Sequence, residues 1–259
     1  MKTELIMRPG TASPAVQASL RRRLRRLLVE SWGALPDSYF DVAVMNCDLL
    51  AVAHGPDGPL AFTSIVELKL DGRTIFFVNV SVVHPKARSQ GLLFDMGLVL
   101  YRHALLQSFA RHLSLTVDVM FLTPNVRVLG AMHPLSSFIY PDPSTFCSRE
   151  RQVPDADDAT WALAQKYLRD SWDPSRVLHR NGCVVEGSYR HTPWLIYNSD
   201  NAPKHRNEMF NAFAERYFEY SKASGKECIV RARLPLSRLL SYWARRQLSR
   251  ALPLSKRRL

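Results

Sequence analysis

VSVVHPKARSQGLL, residues 80–93, is the stretch from which the fold can be predicted. An apolar strand runs into a short loop, and a helix begins directly after Gly91. The first N–H groups of a helix have no partner within it and lie at the positive end of its dipole, so this junction suits a phosphate group. Lys86 and Arg88 add positive charge. Because the spacing of a Walker loop and the glycines of a dinucleotide fingerprint are absent, the stretch alone also fits an ordinary strand–loop–helix connection.

The segments before this stretch predict an antiparallel meander. Strands are expected at residues 48–54, 60–70 and 73–84, and Asp71-Gly72 is a typical hairpin turn between the last two. The third strand, RTIFFVNVSVVH, is apolar on both faces apart from Asn79 and Ser81, which predicts a central place in a sheet covered on both sides. A helix that starts at Ser13-Pro14 carries an apolar face and a run of arginines.

The segments after this stretch continue the alternation of helix and strand. A helix is expected from Gly91 to about Arg111, a buried strand over residues 113–123, and a short helix opened by Asn125. This order predicts a mixed α/β layer fold. Beyond residue 134 the patterns predict a helix near residue 160, a hairpin of residues 183–189 with 193–197, a helix over residues 209–218, a strand over 227–234 and a basic final helix.

Residues 80–93 resemble motif A of the GNAT superfamily, whose pattern is roughly V-x-P-x-x-(R/Q)-x-x-G-x-(G/A). Val83, Pro85, Arg88 and Gly91 hold the pattern positions, whereas Leu93 stands where glycine or alanine is usual. The strand over residues 117–123 and its following asparagine are similar to the next part of that family's core. The resemblance covers about residues 16–135.

The resemblance implies a GNAT-like α/β fold with a mixed, mostly antiparallel central sheet flanked by helices. Residues 1–150 would form the acyl-CoA-binding core, and residues 151–259 a C-terminal α+β extension that completes the sheet and the acceptor side. The implied reaction is the transfer of an acetyl or longer acyl group from acyl-CoA, or from an acyl carrier protein, to a small-molecule or peptide amine. The amine attacks the thioester directly, and no metal takes part.

The resemblance also implies how the donor is held. The backbone of Val82 and Val83 would pair with the pantetheine arm like an added strand. Asn125 would help to hold the cofactor. The N–H groups that would bind the pyrophosphate belong to Arg88, Ser89, Gln90, Gly91, Leu92 and Leu93.

Residues for the proton transfers are harder to assign from the sequence. Many family members carry a glutamate on the motif A strand, but this strand offers only Asn79 and Ser81, which are predicted to alternate onto one face and to order the substrate or a water molecule. The alternative is that both side chains simply bond to their neighbours. The usual tyrosine is replaced by Met132, and His133 and Tyr140 are the candidate substitutes. Further candidates are Glu67 and Asp118.

The composition predicts a globular cytoplasmic protein. Of 259 residues, 46% are hydrophobic, which is enough to build a core. The four cysteines form no CxxC pair or zinc spacing, so reduced thiols are expected. The N-terminus lacks the long apolar stretch of a signal peptide, and the most apolar stretch, residues 92–106, includes Asp95 and Arg102, so no transmembrane segment is expected.

The net charge of +12 lies at the two ends of the chain. Residues 1–34 hold seven basic and two acidic side chains, and residues 236–259 hold seven basic and none acidic. Such ends are either a solvated helix face with a basic tail, or they attract an acidic acyl carrier protein, an anionic membrane surface or nucleic acid. Nucleic acid is disfavoured because the arginines lack interleaved aromatic residues and residues 35–235 are charge-neutral. A catalytically silent CoA-binding GNAT-like module is the other alternative.

Overall fold

A computed structural model of the protein describes residues 2–70, 72–88, 90–146, 153–171, 173–190 and 192–251, with side chains through residue 245. The strands are β1 (Lys2–Met7), β2 (Leu49–Gly55), β3 (Gly58–Leu70), β4 (Arg73–Val83), β5 (Thr116–Thr123), β6 (Phe138–Tyr140), β7 (Val177–His179), β8 (Val184–Glu186) and β9 (Glu227–Pro235). The helices are α1 (Pro14–Trp32), α2 (Asp37–Phe40), α3 (Leu92–His112), α4 (Val126–Met132), α5 (Asp158–Asp170), α6 (Glu208–Phe218) and α7 (Leu236–Ala251).

One sheet joins all of the strands in the described ranges, in the order β1-β2-β3-β4-β5-β9-β8-β7, with β6 paired to β9. Only the β4–β5 pair is parallel, and the other pairs are antiparallel. The mixed, mostly antiparallel sheet flanked by helices is therefore confirmed. β4 is central, as its sequence predicts, with Phe76 and Phe77 buried on opposite faces.

Helices cover both faces of the sheet. On one face, called here the α1 face, Leu24 and Leu28 of α1 pack against Val80 and Val82 of β4. Helix α5 packs on the same face. The opposite face, called here the α3 face, is covered by α3, α4 and α6. The arginines of α1 lie on its outer side because its leucines take the inner side.

Several local predictions hold and others are wrong. The β3–β4 hairpin, the start of α1 after Ser13 and the start of α3 after Gly91 agree with the sequence patterns. The predicted hairpin of residues 183–189 with 193–197 is wrong, because β8 pairs instead with β7, and Pro193–Leu195 is a 3-10 turn. Gly182, at φ 68°, allows the turn that joins β7 to β8.

The C-terminal segment enters the sheet next to its centre. β9 runs antiparallel to β5, from the pair Thr116–Pro235 to the pair Thr123–Cys228. Glu227, the first residue of β9, therefore lies just beyond the carboxyl end of β5. This placement brings a carboxylate from late in the chain to the end of the sheet where α3 and α4 begin.

The positive charge of α1 is partly neutralised within the chain. Arg21 pairs with Asp41, Arg25 with Asp37, and Arg26 with Glu30 at 2.8 Å. These contacts reduce the charge that α1 offers to an acidic partner. No described helix is long and apolar enough to cross a membrane. In the same residues, no group of three or more histidine, cysteine or acidic side chains is placed to hold a metal ion.

Candidate active site

β4 and β5 separate at their carboxyl ends. Their parallel pairing runs from Ile75–Asp118 to Val78–Phe121, after which β4 continues to Val83 without a partner in β5. A backbone edge of β4 is thus left open next to the start of α4. An extended chain can add to such an edge by the hydrogen bonds of an ordinary strand.

A β-bulge at Asn79 shapes this opening. Ser64 pairs with Val80 and Ile65 pairs with Val78, so Asn79 is the extra residue on β4. Because the bulge breaks the alternation, Asn79 and Ser81 do not share a face, and the prediction that they do is wrong. The Asn79 amide donates to the carbonyl of Ala43 at 3.3 Å on the α1 face.

Ser81 lies on the other side of the strand. Its hydroxyl is 3.1 Å from the hydroxyl of Thr63, its register partner on β3. The neighbours of Thr63 along β3, Ala61 and Ile65, belong to the core under α3. The side chains of Asn79 and Ser81 are therefore both bonded to the protein, and on different faces.

The junction from β4 to α3 has the form that the sequence predicts. His84 caps a 3-10 turn, Pro85–Ala87, by accepting from the N–H of Lys86 at 3.1 Å. Gly91 precedes α3 in the left-handed region, with φ 80° and ψ 10°. A Cβ atom built on Gly91 would meet nothing within 4 Å. The space beside the first turn of α3 is therefore open, and its N–H groups point toward it.

The side chains around this junction turn away from that open space. Leu92 is buried under α3, whereas Leu93 is 49% exposed and does not fill the space. Arg88 donates to the carbonyl of Ser31 at 3.4 Å, and Gln90 donates to the carbonyl of Lys86 at 3.2 Å. Ser89 lies outside the described residues. The exposed Asp95 is the one acidic side chain in the first turn of α3, and the charges of Lys86 and Arg88 offset it.

The other residues expected to hold the donor lie at the same end of the sheet. Val82 is buried on the α1 face and Val83 lies on the α3 face, so only their backbone borders the open edge of β4. Asn125 caps α4 by accepting from the N–H of Arg127 at 2.9 Å. Its amide nitrogen makes no hydrogen bond to any described residue and is free for a ligand.

His133 is not brought to this end of the sheet. It follows α4, eight residues after Asn125, which is about 12 Å along a helix. Its ring lies 3.3 Å from the carboxylate of Asp142 and edge-on to Phe210. The hydroxyl of Tyr140, the other candidate substitute for the family's tyrosine, donates to the carbonyl of Pro154 at 3.0 Å. The remaining candidates are in ion pairs, Glu67 with Lys69 and Arg111, and Asp118 with Arg233.

A group of polar side chains that the sequence analysis missed lies on the α1 face beside the opening. It is called here the polar cluster and consists of Tyr39, Tyr167, Arg176, Tyr189 and Glu227. The ring of Tyr167 stacks on Phe77 of β4, with ring centroids 3.8 Å apart. The hydroxyl of Tyr189 donates to the carboxylate of Glu227 at 3.4 Å. The cluster therefore spans from β4 across the end of β5 to β9.

Burial controls the ionisation of Glu227. The side chain is only 6% exposed, and burial raises its pKa from 4.5 to about 6, although Ser188, Arg176 and Tyr189 oppose this shift. Burial likewise raises the pKa of each tyrosine in the cluster. At neutral pH the cluster thus holds a mostly ionised carboxylate that accepts protons readily, surrounded by phenols that stay protonated.

Arg176 is the cation of the polar cluster. It is 6% exposed, its Nε donates to the carbonyl of Asp173 at 3.0 Å, and its Cζ lies 5.9 Å from the centre of the Tyr167 ring. Its buried Nη2 has no hydrogen-bond partner among the described residues.

No local pattern in the sequence marks the polar cluster. Its members come from five segments spread between residues 39 and 227, and only the fold brings them together. The one available signal is Glu227 itself, a charged residue at the start of an apolar strand directly after a turn. That signal is common in ordinary strands and does not by itself predict a site.

No family model matches the sequence, and no curated protein matches it. Among similar solved structures is Naa20 of Chaetomium thermophilum in complex with a bisubstrate analogue. It is 11% identical, with 93% of this chain and 90% of that chain covered and a TM-score of 0.38. The IAA acetyltransferase of Bacillus cereus is 16% identical, with 53% and 80% covered and a TM-score of 0.33.

N-acetylglutamate synthase of Neisseria gonorrhoeae, complexed with coenzyme A and N-acetyl-glutamate, is a third similar structure. It is 10% identical, with 58% of this chain and 31% of that chain covered and a TM-score of 0.32. At identities and TM-scores this low, the substrates and mechanisms of these proteins cannot be assigned to this chain. Its function has to be argued from its own geometry.

Proposed function

We propose that the protein is a GNAT-type N-acyltransferase that moves an acetyl or longer acyl group from acyl-CoA to an amine. The observation that carries this proposal is the separation of β4 and β5, with the open edge of β4 and the open space at Gly91 at the same end of the sheet. A long, thin donor with a phosphate group at one end fits this arrangement. The pantetheine arm would pair with the backbone of β4, and the pyrophosphate would bind at the first turn of α3.

The polar cluster supplies the chemistry on the α1 face. The amine nitrogen attacks the thioester carbonyl carbon, a C–N bond forms, and the C–S bond breaks to release the thiol of CoA. The carboxylate of Glu227 takes the proton that the amine loses, and the leaving thiolate is protonated from solvent. A base with a pKa of about 6 is mostly ionised at neutral pH and still basic enough to accept a proton. N–H groups on the open edge of β4 would stabilise the oxyanion that develops on the carbonyl.

Thermal unfolding with and without acyl-CoA tests the donor site. A ligand that binds only the folded protein stabilises it by about 2.7 kcal/mol at a concentration one hundred times its Kd. For a chain of this size, we expect acetyl-CoA or a longer acyl-CoA to raise the Tm by roughly 5–10 °C. The acyl chain length with the largest effect identifies the donor for an acceptor screen.

Two other results would contradict the proposed function. If no CoA ester raises the Tm, the donor site is wrongly assigned, and an acyl carrier protein becomes the donor to test. If CoA esters bind but no thiol is released with any amine, the protein is the catalytically silent CoA-binding module.

Asn79 and Ser81 are expected to matter little for catalysis. Asn79→Ala leaves the carbonyl of Ala43 bonded to the hydroxyl of Ser64 at 2.5 Å, so little stability is lost. Ser81→Ala removes only a bond to Thr63. We expect either variant to lower kcat less than about 10-fold, which is below the range for a general base. A loss of 100-fold or more in a folded variant would make that side chain catalytic after all.

A further inference from the structure

Arg176 is the buried cation of the polar cluster. No carboxylate of the described residues forms an ion pair with it, and its Nη2 is unpaired although the side chain is 6% exposed. Burying an unpaired charge is costly, so proteins usually pair such groups with an anion. Arg176 therefore has an unused capacity to bind an anion in the polar cluster.

The two nearest acidic groups do not use this capacity. Asp173 accepts from the Ser175 N–H at 3.1 Å and from its hydroxyl at 2.5 Å, and its backbone carbonyl accepts from Arg176. Its carboxylate interacts electrostatically with Arg176 but forms no ion pair with it. Glu227 and Arg176 influence each other's charge but form no ion pair. The cation and the proposed base therefore lie near each other without a direct bond, and a small molecule with one polar group at each end would contact both.

We infer that the acceptor is a small amine that also carries a carboxylate, and that Arg176 binds this carboxylate while Glu227 faces the amine. This inference rests on the proposed acyltransferase function and narrows its acceptor. The unpaired Nη2 of Arg176 would donate a charge-assisted hydrogen bond to this carboxylate, which orients the acceptor as well as attracting it. The three tyrosine rings of the cluster would line the space around the body of the acceptor, so they suit an amino acid with an apolar or aromatic side chain.

Matched acceptors test the carboxylate directly in the wild-type protein. Each pair consists of an amino acid and its amide, such as L-phenylalanine and L-phenylalaninamide. The two differ in the carboxylate and, as a consequence, in the basicity of the amine. Release of the CoA thiol from acetyl-CoA is measured at pH 8. We expect kcat/KM to be about 10- to 100-fold higher for the amino acid than for the amide. This ratio is the usual effect of losing one charge-assisted hydrogen bond, which the amide cannot form.

Variants assign this preference to Arg176. Arg176→Gln should abolish it by raising the KM of the amino acid to that of the amide, and Arg176→Lys should restore part of it. Arg180→Gln is the matched control, because Arg180 pairs with the exposed Asp158 at 2.5 Å and lies outside the polar cluster. It should keep the full preference.

The possible results separate this inference from the proposed function. If acetyl-CoA is used but amino acids and amides react equally in wild-type protein, the inferred acceptor class is overturned and the acyltransferase remains. If acetyl-CoA raises the Tm and neither kind of acceptor reacts, the inferred acceptor class is overturned too. A protein that neither binds CoA esters nor releases thiol would instead overturn the proposed function.

Discussion

Replacing Glu227 with glutamine is expected to lower kcat by about 100- to 10,000-fold, the usual contribution of a general base. Glutamine keeps the size of the side chain and can still bond to Tyr189, but it cannot accept a proton. In the wild-type protein, kcat/KM should rise with pH through the pKa of Glu227, about 6, because only the ionised carboxylate is active. The variant should lack this rise, and the residual rate should follow the ionisation of the amine.

The same substitution is expected to stabilise the free protein at high pH. Burial raises the pKa of Glu227 from 4.5 to about 6, so the folded protein holds the proton more tightly than the unfolded chain does. Stability is therefore lost as the pH rises from 4.5 through 6, and by pH 8 the loss amounts to about 2 kcal/mol. Glutamine does not ionise, so Glu227→Gln should unfold at higher denaturant concentration than wild type at pH 8 but not at pH 4.

Glu186→Gln is the matched control for both effects. Glu186 on β8 forms an ion pair with Lys226 at 2.8 Å, and this contact lowers the pKa of its carboxyl. Glu186→Gln should therefore slightly destabilise the protein above pH 4.5, whereas Glu227→Gln stabilises it. Glu186→Gln should also leave kcat unchanged. If Glu227→Gln keeps wild-type kcat and the rise near pH 6, Glu227 is a buried structural acid and the base lies elsewhere.

The central part of the fold could be predicted because its signals are local. Asp71-Gly72 joins two runs of strand-forming residues, which almost specifies the β3–β4 hairpin. The apolar run of β4 shows that both of its faces are covered, and Gly91 marks the start of α3. Each of these features depends on neighbours within a few residues, so the pattern alone is sufficient.

Other elements depend on distant partners and carry weaker signals. β1 is a short edge strand that forms only against β2, some fifty residues later. α2 continues into a turn of π-helix, Asp41–Met45, which packs under α1 and has no distinctive composition. β7 is three residues long and is defined by its pairing with β8 rather than by its own sequence.

The candidate site divides in the same way. The donor half follows from one continuous stretch, so its loop and its glycine could be identified from the sequence. The acceptor half could not, because the bulge at Asn79 shifts the faces of β4 and because Glu227 reaches the site through the pairing of β9 with β5. A one-residue bulge reverses which side chains share a face. The alternation of apolar and polar residues along the sequence does not reveal such a bulge.

Replacing Gly91 with valine is expected to remove acyl-CoA binding. The position has φ 80°, which a β-branched residue adopts only with strain of about 1–3 kcal/mol. The new side chain would also fill the open space where the pyrophosphate is proposed to meet the N–H groups of α3. Losing two charge-assisted hydrogen bonds corresponds to a rise in Kd of at least about 100-fold. Calorimetric titration with acetyl-CoA measures this change directly.

Gly72→Val separates the loss of binding from the strain. Gly72 has φ 75°, and a Cβ there would also meet nothing within 4 Å, but it lies in the β3–β4 turn at the opposite end of β4. Both variants should therefore lose similar stability, whereas only Gly91→Val should lose the ligand. Equal affinity of the two variants for acetyl-CoA would show that the phosphate groups bind elsewhere, since the strain is the same and only the position differs. A loss confined to Gly91→Val would locate the pyrophosphate at the first turn of α3, where a strand, a loop and a helix converge on one glycine.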